Sequence, residues 1–383
     1  MKKIILKSSL SILTIVILFL VGFYLRFGGS GRDFPNLSGK PVLPETSLEV
    51  VAELPEPPGN LAVSKSGRIF FTYHAESRPD NKVLELVDGK PVPYPNLEMQ
   101  KYSEDRISFD AIFNLRIDSK NRLWTLDHGF NGLRKPRLIA FDLDSNLLVH
   151  EYVFPENIAG FGSYIQDMQI DPKAETIYIA DIGVLSGKPS LIIYDINSKS
   201  SRRVLVNHSS IKEEDYTINA QGKKMLLLGG LFWMHPAFDP IALDRRGEWL
   251  YIGAMSGESL YRVETSDLKN ESLSSESLSS KVEFYATKPQ CDGLTISDDD
   301  TIFLTGIEHG SIFTIDRNRK LQTLIQSERM RWPDGLSFGS DGWIYIADSD
   351  IPDVLLQSKS HIASSAPFYI YRFKTNYKAM AGQ

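Results

Sequence analysis

One phrase recurs along the chain, and it constrains the fold more than any other feature. "QCDGLTISDDDTIFLTGIEHG" (290–310) and "RWPDGLSFGSDGWIYIADSD" (331–350) share an Asp-Gly-Leu, an alternating apolar stretch, a polar tight turn and a second apolar stretch. The same frame occurs in "GNLAVSKSGRIFFTYH" (59–74), "FNLRIDSKNRLWTLDHG" (113–129), "QDMQIDPKAETIYIADIG" (166–183) and "DPIALDRRGEWLYIGAMSG" (239–257). Period-two alternation reads as strands, and the Gly, Asn and Asp between them supply tight turns. A third strand follows each pair, as in "SLIIYDIN" and "FYIYRF", and a fourth follows in five of the six. Four antiparallel strands in each repeat of ~40–50 residues are the pattern of a propeller blade. The expectation is an all-β, six-bladed β-propeller of four-stranded antiparallel blades over residues 48–383. The sixth unit lacks a fourth strand, and "LEVVAEL" (48–54) precedes the first. That segment is expected to pair beside 367–373, closing the ring and removing its exposed edges. Almost no helical periodicity interrupts the pattern, which argues against an α/β fold.

Two segments exceed the repeat. Residues 207–238 form the longest insertion, and 265–283 is Ser-rich with a near-duplicated "ESLSS" that reads as a surface loop or short helix. Hydrophobic residues make up 42% of the chain, enough for a core of this size. The net charge of −6 and the absence of a basic tract past the N-terminus argue against nucleic acid as a partner. The single cysteine, Cys291, cannot form an internal disulfide.

The chain begins with Lys2, Lys3 and Lys7, followed by an uncharged, mostly apolar run from Ser8 to Leu25. A run of this length suits a membrane helix. Residues 1–26 therefore read as one N-terminal transmembrane helix acting as a signal anchor, and 27–47 as a linker. Basic residues before the run put Met1 in the cytoplasm. The expected location is the cell membrane, single pass, with the propeller on the periplasmic or extracellular side. Cleavage near "GGSG" (28–31) would make it secreted instead.

In a propeller, the starts of the inner strands gather at one mouth of a central channel. The residues just before those strands are Asn60, Asn114, Asp167, Asp239, Asp292 and Asp334. Such an oxygen-rich ring suits a hard divalent cation such as Ca²⁺, and like charges so close raise carboxylate pKa values unless a cation or donors compensate. The bland alternative is that these aspartates serve backbone hydrogen bonds near turns. Tyr164, Trp124, His128, Trp233, His235, His309 and Trp332 fall near strand ends or in loops, where an aromatic wall beside carboxylates suits a small cationic or catecholic ligand. Trp124 and Trp343 begin apolar strands and read as packing between blades. His128, beside Asp127, reads equally as a satisfied loop histidine or a proton carrier.

The runs "RLWTLDHG", "ALDRRGEWLYIGAMSGESLYRV" and "RWPDGLSFGSDGWIYIADS" resemble the major royal jelly protein/yellow family in its bacterial branch, whose members are labelled as related to L-dopachrome tautomerase. The resemblance covers about residues 48–373 and implies a six-bladed propeller, distantly similar to the gluconolactonase/senescence-marker-protein hydrolases. Those hydrolases hold a divalent metal with Glu, Asn and Asp. Carried over by frame, the metal ligands are Asp239 and Asp292, while the Glu falls near Pro58, with Glu56 two residues away. The functional expectation is a propeller that acts on or binds a small metabolite at the channel mouth, tautomerase- or isomerase-like as the resemblance implies. The alternatives are a non-catalytic binder of an amine or catechol, or a metal-dependent lactone hydrolase. Asp167, Asp292 and His128 are the catalytic candidates. Asn60, Asp334, Trp332, His235 and His309 are the ligand-binding candidates. A monomer is expected, with a small molecule as partner and the N-terminal helix in contact with a membrane.

Overall fold

The computed structural model describes residues 2–383, with side chains from residue 11 onward. Six four-stranded antiparallel sheets form the body of the molecule. Their inner strands, Pro58–Val63, Ile112–Ile117, Ile165–Ile170, Phe238–Leu243, Leu294–Ile296 and Pro333–Phe338, neighbour one another in order around a closed circle, the last against the first. The chain is a six-bladed propeller. Glu49–Leu54 pairs antiparallel with Phe368–Lys374, so the strand from the chain's start completes blade six. Alternating apolar residues on both faces of each blade pack against the next. Trp124, Leu126 and Leu138 of blade two meet Ile165, Met168 and Ile179 of blade three, all fully buried. The Ser-rich stretch forms two short helices, Thr265–Lys269 and Ser275–Ser279.

The repeated Asp-Gly-Leu now has a physical explanation. Five of the six inner strands have a register irregularity at their start, between Pro58 and Leu61, Ile112 and Asn114, Ile165 and Met168, Phe238 and Ile241, and Pro333 and Leu336. Such bulges bend the strand and re-aim side chains. Leu294 and Leu336 go into the inter-blade core. The glycines allow neighbouring strands to touch. A Cβ on Gly293 would lie 2.1 Å from the Asp334 carbonyl oxygen, and one on Gly335 would lie 2.9 Å from Asn60 Cα.

The N-terminal expectation fails. The N-terminal helix is assigned as Lys2–Phe27, yet among the described residues no helix is long and apolar enough to cross a membrane. The single-pass anchor, and the membrane location drawn from it, are overturned. Met1 and the side chains of Lys2, Lys3 and Lys7, on which the orientation rested, lie outside the described residues. The end of the helix packs on the propeller, with the Phe27 ring 6.2 Å from that of Phe232 in the long insertion. Residues 27–47 also lie against the body. Arg32–Asp33 pairs in parallel with Tyr216–Thr217 of the insertion, and Leu43 joins the core of blades five and six.

Candidate site at the channel mouth

The inner-strand starts, five of them bulged, bring Asn60, Asn114, Asp167, Asp239, Asp292 and Asp334 to one end of the channel. All are buried, from 0% exposed at Asp239 to 7% at Asp334, so water screens them poorly. Asn114 Nδ2 donates to Asp167 Oδ1 at 2.5 Å, and the Trp332 indole N–H donates to Asp292 Oδ2 at 2.6 Å. Taken as a carboxylate, Asp239 has no donor to either oxygen. A proton on Asp239 turned toward Asp292 gives both groups a partner, and Asp239 is accordingly held well above the usual carboxylate range by burial and then by the negative charge of Asp292. Asp334 is raised for the same two reasons, and its Oδ2 also lacks a donor. Burial raises the Asp167 carboxyl to about 7 against the pull of Arg116, and raises Asp292 to about 6 against hydrogen bonds from Trp332 and Asp239. The ring is therefore a set of carboxyls sharing protons near neutral pH, not four fixed charges.

Arg116 supplies the compensating positive charge. It is 1% exposed, and its Nη1 donates to Asn60 Oδ1 at 2.8 Å and to the Leu115 carbonyl at 3.1 Å. Burial lowers its pKa from the usual arginine range, and the charges of Asp167 and Asp334 oppose that shift. Sequence reasoning missed this residue, although the signal was present. Arg116 lies two positions after Asn114 on the same inner strand, and period two puts both on the channel face.

The ring does not fit a divalent cation of the lactonase type. Among the described residues, no three His, Cys, Asp or Glu side chains are grouped to hold a metal ion. Pro58 stands at the Glu position, Asp292 is bonded to Trp332, and a guanidinium occupies the ring. The expected metal ligands Asp239 and Asp292 instead form a carboxyl pair.

Above the ring is a box of rings on blades one to three. Phe113 lies 5.4 Å from His74, 4.7 Å from His128 and 5.0 Å from Tyr164. The Tyr164 hydroxyl donates to Glu76 at 2.7 Å, and Glu76 is raised by burial. His74, Phe113 and Glu76 were not anticipated. His74 could have been found, because it ends the second strand of blade one as His128 does in blade two. On the other side of the mouth the long insertion packs Ile218, Met225 and Met234 against Trp332, Met255 and Ile307. The two remaining histidine candidates have their contacts elsewhere. His235 stacks on Trp233 at 3.8 Å within the insertion, and His309 lies on the rim beside Phe34 and Pro35. A depression of about 990 Å³ opens at the opposite end among turn residues including Lys65, Asp118 and Lys378. Its Asp118 is saturated by backbone, Arg122 and Trp124 donors.

A family model described as "Major royal jelly protein" matches residues 111–364. The chain belongs to the major royal jelly protein family. It is 27% identical to major royal jelly protein 3 of Apis mellifera over 241 residues, covering 60% of this chain and 42% of that one. It is 26% identical to yellow-related salivary protein M10 of Phlebotomus duboscqi, covering 50% and 57%. The matches to major royal jelly proteins 3, 6 and 1 span 42%, 39% and 49% of those relatives' own lengths, so the chain spans less than half of each. Among solved structures, a gluconolactonase of Xanthomonas campestris superposes with a TM-score of 0.54 at 10% identity, covering 85% of this chain and 88% of the other. A calcium-binding regucalcin of Agrobacterium tumefaciens superposes at 0.53 with 13% identity, covering 89% and 97%. At such identity the likeness shows the fold alone.

Proposed function

We propose that the channel mouth receives a small molecule and that the ring carboxyls exchange protons with it, a tautomerase- or isomerase-like activity. The observation that carries this reading is Asp239, fully buried with no donor to either oxygen, beside Asp292. Two carboxyls in different protonation states provide an acid and a base within one site. Asp292 is ionised above pH about 6 and can accept a proton, while Asp239 retains one and can give it. Asp167 and Arg116 set the local charge, and Phe113 and Tyr164 provide flat apolar walls for a ring-bearing ligand.

A second reading is a non-catalytic binder of a small amine. Carboxylates under an aromatic wall suit a cation, and a salivary yellow-related protein is among the relatives. Calorimetry with a panel of catechols, catecholamines and aromatic keto acids tests the shared premise on the wild-type chain, Asp239→Asn and Asp292→Asn. Binding by the wild type that both variants lose, with cooperative melting retained, supports a mouth site. A wild type that binds nothing in the panel sinks it. Proton exchange into the bound compound then separates the enzyme from the binder.

A further inference from the structure

Resting on that reading, we infer that His74 and His128 act as a matched pair of neutral N–H donors, which hold the oxygen of an enolisable carbonyl ligand while a ring carboxylate removes its α-proton. The argument begins with the repeat. Both histidines follow the last residue of a second strand, Ile69–Tyr73 in blade one and Arg122–Asp127 in blade two, so adjacent blades present them at the same height. Both rings contact Phe113, His74 from blade one and His128 from Phe113's own blade.

Their tautomer is assigned by their partners. His74 Nδ1 accepts the Glu76 backbone N–H at 3.2 Å, and His128 Nδ1 accepts the Asn131 backbone N–H at 3.1 Å. A nitrogen that accepts an N–H has no proton of its own, so in each neutral ring the hydrogen sits on Nε2. His74 Nε2 lies 3.8 Å from Asp334 Oδ2, too long for a direct hydrogen bond, and Asp334 Oδ2 has no other donor. The donor is thus aimed into the mouth without being consumed. Burial supports the neutral form by pushing His74 down to about 4 and His128 to about 3. Each then donates a proton it does not give up. A neutral imidazole suits a developing enolate because it stabilises the oxygen without protonating it prematurely.

The step balances within the ligand and the ring. The α C–H bond breaks and its electron pair forms the C=C bond of the enolate. The carbonyl π pair moves to oxygen, where the two N–H groups hold it. The proton goes to Asp292 and returns either to the enolate oxygen, giving the enol, or to the same α-carbon, regenerating the ketone, so no oxidant or co-reactant is needed. The ligand class is therefore an enolisable ketone or keto acid, narrower than a small aromatic in general.

The test has two readouts on the full chain. ¹⁵N–¹H correlation at pH 7 should find both rings neutral with the proton on Nε2. An imidazolium, or a proton on Nδ1 at either residue, overturns the inference. Enol-to-keto conversion of phenylpyruvate, with deuterium exchange at its C3, gives the rate. Removing one such donor costs ~100–1,000-fold in kcat, and His74→Ala and His128→Ala should each fall in that range. His128→Gln, whose amide N–H can occupy the place of Nε2, should restore much of the rate, whereas His128→Asn, which reaches only as far as Nδ1, should not. Cooperative melting of His128→Gln guards against a folding defect. Rates of the alanine variants within about twofold of wild type, far short of a lost donor, overturn the inference even when Asp239→Asn is inactive, and the mouth reading survives. A wild type that binds the panel but exchanges no deuterium also overturns it alone. Failure of both binding and exchange removes the inference together with the reading beneath it.

Discussion

The two ends of the channel use the same residue for opposite purposes. At the turn end, Asp118 accepts from the backbone of Lys120 and Arg122 and from the Arg122 and Trp124 side chains, and Asp171 and Asp244 each accept two backbone N–H groups. At the mouth end, Asp239 accepts none and Asp334 is half satisfied. Both sets are buried, acidic and repeated from blade to blade. Burial of an aspartate therefore says little until its donors are counted. A saturated carboxylate holds the backbone around it, while an unsaturated one stays available for a proton or a ligand.

The largest effect should come from the cation that stabilises the mouth. Arg116→Leu leaves carboxyls facing one another without their charge partner and should cost about 3–5 kcal/mol in urea unfolding. A loss below about 1 kcal/mol, the range of an exposed pair, would show that the ring protons alone relieve the repulsion. Next comes a turn aspartate. Asp118→Ala strands several buried donors and should cost about 1–3 kcal/mol while leaving ligand binding at the other end unchanged. A loss of binding there would abolish the contrast between the two ends.

The pH dependence sharpens the comparison further. Folding raises Asp292 from its ordinary unfolded value to about 6, so the folded chain binds the proton more tightly. The stability this contributes is full below pH ~4 and is lost as pH rises through about 6. Wild type minus Asp292→Asn should therefore fall across that window by at most ~1.4 kcal/mol per pH unit, then level off. A flat difference would mean that Asp292 is already ionised in the unfolded manner. The smallest effect belongs to Asp239→Asn, which replaces an already protonated carboxyl with a neutral amide of the same shape. Stability should change by less than ~1 kcal/mol, in contrast to Asp118→Ala, while binding is lost. Destabilisation matching that of Asp118→Ala would reveal a structural role for Asp239.

Much of this was legible in the sequence because it was written six times. The strand starts Asn60, Asp167, Asp239, Asp292 and Asp334 share a frame, and a shared frame in a closed ring means a shared location. The need for a positive partner also followed from like charges in one place, but its source was not named. Arg116 was passed over although Asn114 fixed its face by period two; what the sequence did not show is that its guanidinium reaches Asn60. His74 was passed over because a single histidine after an apolar strand has no signal of its own, and the signal it did carry was its match in frame to His128. His235 and His309 looked equivalent to it by position near strand ends, but the chain's path carried them to Trp233 and to the rim.

The N-terminal stretch failed for a related reason. Apolar character alone cannot say what surface a helix meets, and here the helix end, at Phe27, meets Phe232. By itself the sequence determined the number of blades, the closing strand and the end of the channel where polar residues gather, because these depend on periodicity and turn chemistry along the chain. Only the tertiary structure decided which aspartates keep their donors, which cation sits among them and which nitrogen of each histidine meets a backbone N–H. Those depend on bulges that re-aim a side chain by one position and on contacts between residues far apart in sequence, such as Arg116 with Asn60 and Trp332 with Asp292.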